Sequence, residues 1–360
     1  MKLAIISLGA TSSKNILEES KKYFDVADSI DIRKVDVEMG SDGLVVMHNG
    51  KRLPDYDCVY VRGSYKYALL QSSVTSALFG KCYMPLHSTS FTTGHDKLLT
   101  FLELQRCSIP MPTTYVSATT NSAKQLFNNV RYPVIIKIPK GTQGKGVMVA
   151  DSVQSARSMI DALDAFNQPY IIQEYLETDA SDIRAIVLGD KVVACMRRKN
   201  PSPAEFRANI HQGGVGEPCS LDFDAEQVAV RAARALKCDI CAVDLLEFNN
   251  RMYVIEVNLS PGLEGINAAL DTNVAVPLAK FLYDRTLEFV ESKKNGDFNK
   301  VIRKIDSQEM ISNLSIKAGV IKLPELITKI TGFTPDDDVR IVISKGNLMI
   351  HKYDLEKDKS

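Results

Sequence analysis

Short apolar runs alternate with amphipathic stretches from the first residues onward, and the order predicts strands and helices taken in turn. Lys2–Ser7 reads as a buried strand, and a Gly-containing turn leads to a helix over Asn15–Tyr23. Ala27–Val35, Leu44–Met47 and Asp57–Val61 read as further strands, with Asn49-Gly50 a strong hairpin turn. Up to about Leu86 this pattern predicts a small α/β domain of parallel type. Arg62-Gly63 falls at a strand's carboxyl end, where open α/β sheets bind ligands; the plain alternative is a surface charge.

Further along, His95–Gln105 has helical spacing, closed off by Pro110 and Pro112 before a strand at Thr114–Val116. Tyr132–Ile138 is apolar apart from Lys137, Val147–Ala150 is a short strand, and Ser152–Phe166 is an amphipathic helix with a Ser cap. Pro169–Leu176 reads as an edge strand with a polar end at Gln173 and Glu174. Asp182–Leu188 alternates with period two and turns at Gly189-Asp190 into Lys191–Arg197. After the helix Ala225–Leu236 comes a hairpin turning at Asn249-Asn250, and Asn267–Leu287 is again helical.

The hairpin carries the first candidate chemistry. Residues two apart on a strand face the same way, so Glu256 and Asn258 point together, and a hairpin register brings Asp244 beside them. Three oxygen donors without His or Cys suit Mg²⁺ held against nucleotide phosphates. Solvated acids on a half-buried hairpin are the alternative. Lys137 is costly inside a buried strand unless its ammonium meets an anion or water. Directly after it, Gly141, Gly144 and Gly146 form a loop whose amides can close over phosphate oxygens. The loop lacks the Walker pattern and also fits an ordinary turn. Asp182, Arg184, Arg197, Arg198, Lys199 and Arg207 cluster closely enough to receive an acidic substrate, or to form a solvated face.

Composition narrows the classes. Lys+Arg 44 against Asp+Glu 44 in 360 residues leaves no net charge to draw the chain to nucleic acid or an anionic membrane. No run has the length of a membrane span, the first residues do not read as a signal peptide, and a cytoplasmic protein is expected. The seven cysteines are dispersed, and Cys238/Cys241 lack the partners of a zinc site, so they read as packing residues.

Taken in order, HDK at His95–Lys97, YPVIIKIPKGTQGKGV, QEYL, DIRAIVLGDKVVACMRR, EFRANIHQGG and AVDLLEFNNRMYVIEVNLSPGLEGI resemble the ATP-grasp carboxylate-amine ligases, in particular the RimK branch of α-L-glutamate ligases. The resemblance runs to about Glu291. It implies an α/β fold of the α+β ATP-grasp kind: a pre-ATP-grasp domain over 1–88, and an ATP-grasp domain over 89–290 with a lid at about 113–176. It assigns Lys97 and Lys137 to the nucleotide phosphates under the flap Gly141–Gly146. Glu174, Tyr175 and Leu176 are placed around adenine, Asp182 near the ribose, and Asp244, Glu256 and Asn258 on Mg²⁺, or Mn²⁺. Arg207 and Asn209 match the family's R-x-N segment and approach the transferred phosphoryl group. Arg184, Arg197 and Arg198 are candidates for acidic substrates. The implied reaction consumes ATP, passes through an acyl phosphate, and adds glutamate or a similar amino acid to a carboxylate acceptor. That acceptor is a protein C-terminus, a cofactor's glutamate tail, a carrier protein or a peptide.

Where branch members commonly stop, this chain continues through a charged linker, 291–311, into 312–360. There a short strand, Leu-Pro, a short helix to Gly332 and strands Val339–Ser344 and Leu348–Lys352 resemble the AbrB/MazE swapped-hairpin module, which implies a homodimer. Relatives of that module often bind DNA, so a DNA-binding regulator on an ATP-grasp body is the alternative function. Lys304, Lys317 and Lys322 would serve it, and Asp336, Asp337 and Asp338 oppose it.

Overall fold

The computed structural model describes residues 1–41, 43–141, 146–178, 180–199 and 215–294, together with 315–317, 320–322, 334, 339–344 and 347–352. Gly144, the whole segment 200–214 with Arg207 and Asn209, Lys304, and the tail helix expected up to Gly332 lie outside them. The chain divides into two compact units, Met1–Leu287 and Glu288–Ser360.

The first unit opens with β1 (Lys2–Ser7), α1 (Thr11–Ser20) and β2 (Val26–Asp31). An antiparallel ribbon of β3 (Val35–Gly40), β4 (Gly43–His48) and β5 (Lys51–Arg52) follows, then β6 (Cys58–Val61). Of these strands β2, β1 and β6 form a parallel sheet, with Ile6 opposite both Ile30 and Val61, while the ribbon is antiparallel. The apolar runs of β1 and β6 are buried on both faces, as a strand covered on two sides requires, whereas the edge strand β2 is largely exposed. The expectation of one strand over Ala27–Val35 is corrected, and the expected parallel sheet carries an antiparallel ribbon beside it. Asp31 accepts from the Arg33 amide and winds Ile32–Lys34 into a 3₁₀ turn, which sends the chain into the ribbon. Asn49 and Gly50 turn β4 into β5 with positive φ. Helices α2 (Ala68–Leu78), α3 (Ser88–Gly94) and α4 (Lys97–Arg106) come next. Asp96 caps α4 by accepting from Leu98 and Leu99, so the single helix expected over His95–Gln105 begins two residues later.

A four-stranded antiparallel sheet, in the order β7-β10-β8-β9, is built from β7 (Thr114–Tyr115), β8 (Val134–Lys137), β9 (Val147–Ala150) and β10 (Ile171–Glu174). Helices α5 (Thr120–Leu126) and α6 (Val153–Ala165) accompany it, and Phe127, Ile136, Ile160 and Ile172 share one apolar core. Ser152 and Ser155 form a capping box at α6. β10 lies inside this sheet, between β7 and β8, and is not the edge strand its polar end suggested.

The five-stranded sheet runs β13-β12-β11-β14-β15. Its strands are β11 (Ser181–Leu188), β12 (Lys191–Lys199), β13 (Val215–Pro218), β14 (Ile240–Phe248) and β15 (Arg251–Asn258). α7 (Phe223–Ala235), capped by Asp222, buries its alanine-rich face. α8 (Glu264–Leu270) and α9 (Ala275–Lys294) replace the single helix expected over Asn267–Leu287. Asp271 takes the left-handed conformation, and the Asn273 side chain accepts from the Ala275 amide to start a new helix. Cys195 and Cys219 form a disulfide that ties β12 to the residue after β13, a pairing the dispersed cysteines did not suggest. Cys238 and Cys241 are buried free thiols, and desolvation pushes the Cys238 thiol up to about 12.

In the second unit, β16 (Ser315–Lys317) pairs with β17 (Val320–Lys322), and β18 (Val339–Ser344) with β19 (Asn347–Lys352). Among the described residues no helix is long and apolar enough to cross a membrane.

Candidate active site

The register of the five-stranded sheet decides what meets in its cleft. Directly opposed residues share a face, so Asp244 opposite Glu256, Ala242 opposite Asn258, and Arg184 opposite Asp244 place Asp244, Glu256, Asn258 and Arg184 on one side. A bulge at Asp244/Leu245 interrupts the ladder beside the acid and re-aims the strand there. Asp182 opposes Arg198, which brings both to the same face. Arg197 points the other way and pairs with Glu247 at 2.6 Å. The sequence placed Arg197 with Arg198 as a substrate ligand; the strand's period of two separates them, and Arg197 does not reach the cleft.

On that face the charges interlock. Arg184 gives both arms of its fork to Asp244, at 2.8 and 2.7 Å. Arg198 bonds Asp182 at 2.5 and 2.8 Å and reaches Asp244 at 3.0 Å. Burial works to raise the Asp244 carboxyl, but the two guanidiniums hold it at about 2. Burial wins at Asp182, which is raised despite Arg198. Arg198 is buried with its Nε and Nη2 committed to aspartates, a strut of the sheet more than a free receptor for substrate.

The opposite wall comes from the four-stranded sheet and the start of α4. Lys137 is 8% exposed, and its Nζ donates to Gln173 Oε1 at 2.5 Å and lies 5.8 Å from the centre of the Phe101 ring. Gln173 is fixed in turn by donating to Thr114 Oγ1 at 2.8 Å. Desolvation lowers the Lys137 pKa to about 8, with Glu256 opposing the shift and Lys97 adding to it. Lys97 Nζ donates to the Gly141 carbonyl at 3.1 Å and stands 3.9 Å from Glu256 Oε1. Its amide bonds the Pro139 carbonyl, which fixes α4 to the end of β8. Gly146, at φ +78, closes the described end of the flap, where its carbonyl accepts from Ile138 N–H.

Between the walls lies a cleft of about 600 Å³. Lys97, Lys137, Gly141, Glu174, Tyr175, Leu176, Asp182, Arg184, Arg198, Asp244, Glu256 and Asn258 all line it. Gln173, His95 and Arg62 line it too, and the first two had no assigned role in the sequence reading. Gln173 had a signal: a polar residue on an otherwise apolar strand, the same expense that marked Lys137. Desolvation lowers the His95 pKa to about 4. The Glu174 amide is used by the Thr113 carbonyl at 2.8 Å, so the chain leaves the sheet at Tyr175 and Leu176.

The donor set fits Mg²⁺. Asn258 Nδ2 lies 3.2 Å from Asp244 Oδ2, and Asp244 and Glu256 are opposed in the ladder. Among the described residues no three His, Cys, Asp or Glu side chains make a self-sufficient metal site. Two carboxylates and an amide match an ion that completes its octahedron with phosphate and water oxygens.

Comparison with known proteins agrees with this geometry. A family model described as the RimK-like ATP-grasp domain matches residues 94–282. A probable alpha-L-glutamate ligase of Shewanella loihica is 33% identical over 306 residues, covering 83% of this chain and 98% of the relative. Among solved structures, a RimK domain ATP-grasp protein from Sphaerobacter thermophilus superposes with a TM-score of 0.60 at 15% identity, over 78% of this chain and 99% of the other. The ATP-grasp ligase PsnB, complexed with a phosphomimetic variant of its minimal precursor, Mg and ADP, gives 0.63 at 16% identity, over 79% and 98%. The chain belongs to the RimK-like ATP-grasp family.

Proposed function

We propose that this ATP-grasp ligase joins L-glutamate, or a closely similar amino acid, to a carboxylate acceptor, using ATP and Mg²⁺ and passing through an acyl phosphate. The observation that carries the reading is the pair of facing walls: two lysines on one side, and Asp244, Glu256 and Asn258 on the other, with Lys97 and Glu256 3.9 Å apart. Relatives named as glutamate ligases support the amino acid. Neighbours complexed with precursor peptides support an acceptor that is a peptide or a protein C-terminus.

A carboxylate is a poor electrophile, and phosphorylation makes it one that an amine can attack. Lys97 and Lys137 hold the nucleotide phosphates, and the flap around Gly141, Gly144 and Gly146 covers them, which limits hydrolysis of the acyl phosphate. Glu174, Tyr175 and Leu176 receive adenine as the chain leaves β10, and Asp182 stands on the ribose side. Asp244, Glu256 and Asn258 hold Mg²⁺, which when bound neutralises phosphate charge; Mn²⁺ fits the same oxygen donors. Arg207 and Asn209 attend the transferred phosphoryl group. Arg184 is the arginine best placed for an acidic substrate, because it lines the cleft and is less deeply buried than Arg198. Preorganised donors of this kind are each worth roughly a hundredfold in rate.

The chain is further proposed to act as a cytoplasmic homodimer. In β18, Ile341 and Val342 point to opposite faces and both are exposed, as is Met349 in β19. A two-stranded hairpin with apolar residues on both faces is marginal alone and is completed by a second copy. Nothing in the family match or the relatives favours the DNA-binding alternative. The test of the ligase reading is ATP hydrolysis coupled to a mass shift with glutamate and candidate acceptors. A product heavier by one or more glutamyl units supports it, and ADP release without any such product counts against it.

A further inference from the structure

Arg62 follows β6 directly, lines the same cleft and is 4% exposed. Its Nη2 donates to the Pro261 carbonyl at 2.7 Å, and its Nη1 makes a long 3.4 Å contact with Tyr60 Oη. The guanidinium carbon lies 5.3 Å from the centre of the Tyr60 ring. Two of five donors are thus engaged, both by neutral oxygens, and no carboxylate among the described residues forms an ion pair with Arg62. The acid on the adjoining segment, Glu264, is committed elsewhere: its Oε2 accepts from Ser12 Oγ at 2.7 Å. Asp244 of the metal hairpin is taken by Arg184 and Arg198.

A buried guanidinium without a counter-charge is expensive, whereas the other arginines lining the cleft, half-buried Arg184 and buried Arg198, each have an aspartate. Arg62 also stands beside Ser7 and Gly63 at the carboxyl edge of a parallel sheet, and all three line the cleft. The backbone approach there is close: a Cβ on Gly63 would sit 2.7 Å from the Gln71 amide. We infer that Arg62 is a specificity-determining residue that receives a non-reacting carboxylate of the amino-acid substrate with its free donors. Its planar fork then supplies the paired hydrogen bonds a carboxylate prefers, in a site shielded from water. This rests on the ligase reading for the identity of the substrate, while the site itself rests on the uncompensated cation.

The test is equilibrium binding by calorimetry to the full chain holding a non-hydrolysable ATP analogue and Mg²⁺. The probes are L-glutamate, L-glutamine, which lacks the side-chain carboxylate, and L-isoglutamine, which lacks the α-carboxylate. Arg62→Met is expected to weaken L-glutamate by roughly 10–100-fold, the range of a charge-assisted contact, with ADP affinity unchanged. The same variant should leave unaltered the affinity of whichever amide analogue lacks the carboxylate that Arg62 holds, which identifies that carboxylate. Arg62→Lys keeps a cation to bond the Pro261 carbonyl but loses the fork, and should lose about tenfold. Wild-type glutamate affinity in R62K, or equal losses of glutamate and ADP in R62M, would assign Arg62 to holding the Pro261 segment and overturn the inference. A wild-type chain that binds none of the three probes overturns it as well. Failure of the ligase reading looks different: carboxylate binding persists and depends on Arg62, but no glutamyl product forms.

Discussion

The two walls of the cleft bury charge in opposite ways. On the five-stranded sheet, Asp182 and Asp244 are matched by Arg184 and Arg198 in an interlocked set, and Asp244 is held at about 2. On the four-stranded sheet, Lys137 has a neutral amide as its hydrogen-bond partner among the described residues, and desolvation lowers it to about 8. The first wall is compensated before any ligand arrives, and its cost of assembly falls on folding. The second keeps a cation short of negative charge, so an arriving phosphate gains what the protein withheld. Removing Arg198, which ties both aspartates of the first wall, should therefore damage the fold, and removing Lys137 from the second should damage the reaction.

Arg198→Met tests the first half most severely. It leaves two buried carboxylates with one arginine between them, and breaking a buried pair costs roughly 3–5 kcal/mol. Chemical denaturation should show that loss, and Asp182→Asn in the same chain should recover a good part of it. A variant as stable as the wild type would mean that the interlocked set is not what supports this sheet. Lys137→Ala tests the second half. Its ADP release should fall by at least about a hundredfold while its denaturation midpoint stays the same or rises. Normal turnover would remove Lys137 from the phosphate site.

The walls should also titrate at opposite ends of the pH range. Lys137 moves from 10.5 to about 8 on folding, so between those values the unfolded chain holds a proton the folded chain has released. Its penalty is complete below about 8, and stability rises with pH from there towards 10.5. Asp244 moves from 3.8 to about 2, so its contribution is present above 3.8 and is lost as pH falls towards 2. Denaturation curves across both windows check this: Lys137→Met should flatten the alkaline rise and leave the acid limb in place. Nucleotide binding near pH 8.5 should take up a fraction of a proton, read by calorimetry in two buffers of different ionisation enthalpy, and the uptake should vanish in the same variant.

How far the sequence revealed these walls depends on the range of the interaction. Asp244, Glu256 and Asn258 were legible because a hairpin is local and its alternation puts the three donors on one face. Lys137 was legible because an ammonium in an apolar strand needs an explanation. The Arg198–Asp182 pairing depends on register across β11 and β12, which is shifted between Ile186 and Val187, and a charge cluster alone does not say which members pair. The Cys195–Cys219 bond spans 24 residues, and cysteine spacing alone does not determine connectivity. β10 was misplaced at an edge because strand order is a property of the folded sheet, and its short partner β7 left only a weak trace between two prolines and α5.

Arg197 gives the gentlest and sharpest contrast, because it is the chain neighbour of Arg198 and differs only in the face it occupies. Its partner Glu247 is more than a third exposed, and the pair is open to water and counter-ions. Such pairs contribute about 0–1 kcal/mol. Arg197→Ala should therefore shift the denaturation midpoint slightly and leave both the KM for glutamate and the ADP affinity at wild-type values, with any small change reduced further in high salt. If Arg197→Ala instead raised the glutamate KM as far as Arg184→Met does, the alternation that sorts this strand into a cleft face and a solvent face would be wrong, and the assignment of Arg184 would lose its geometric basis with it.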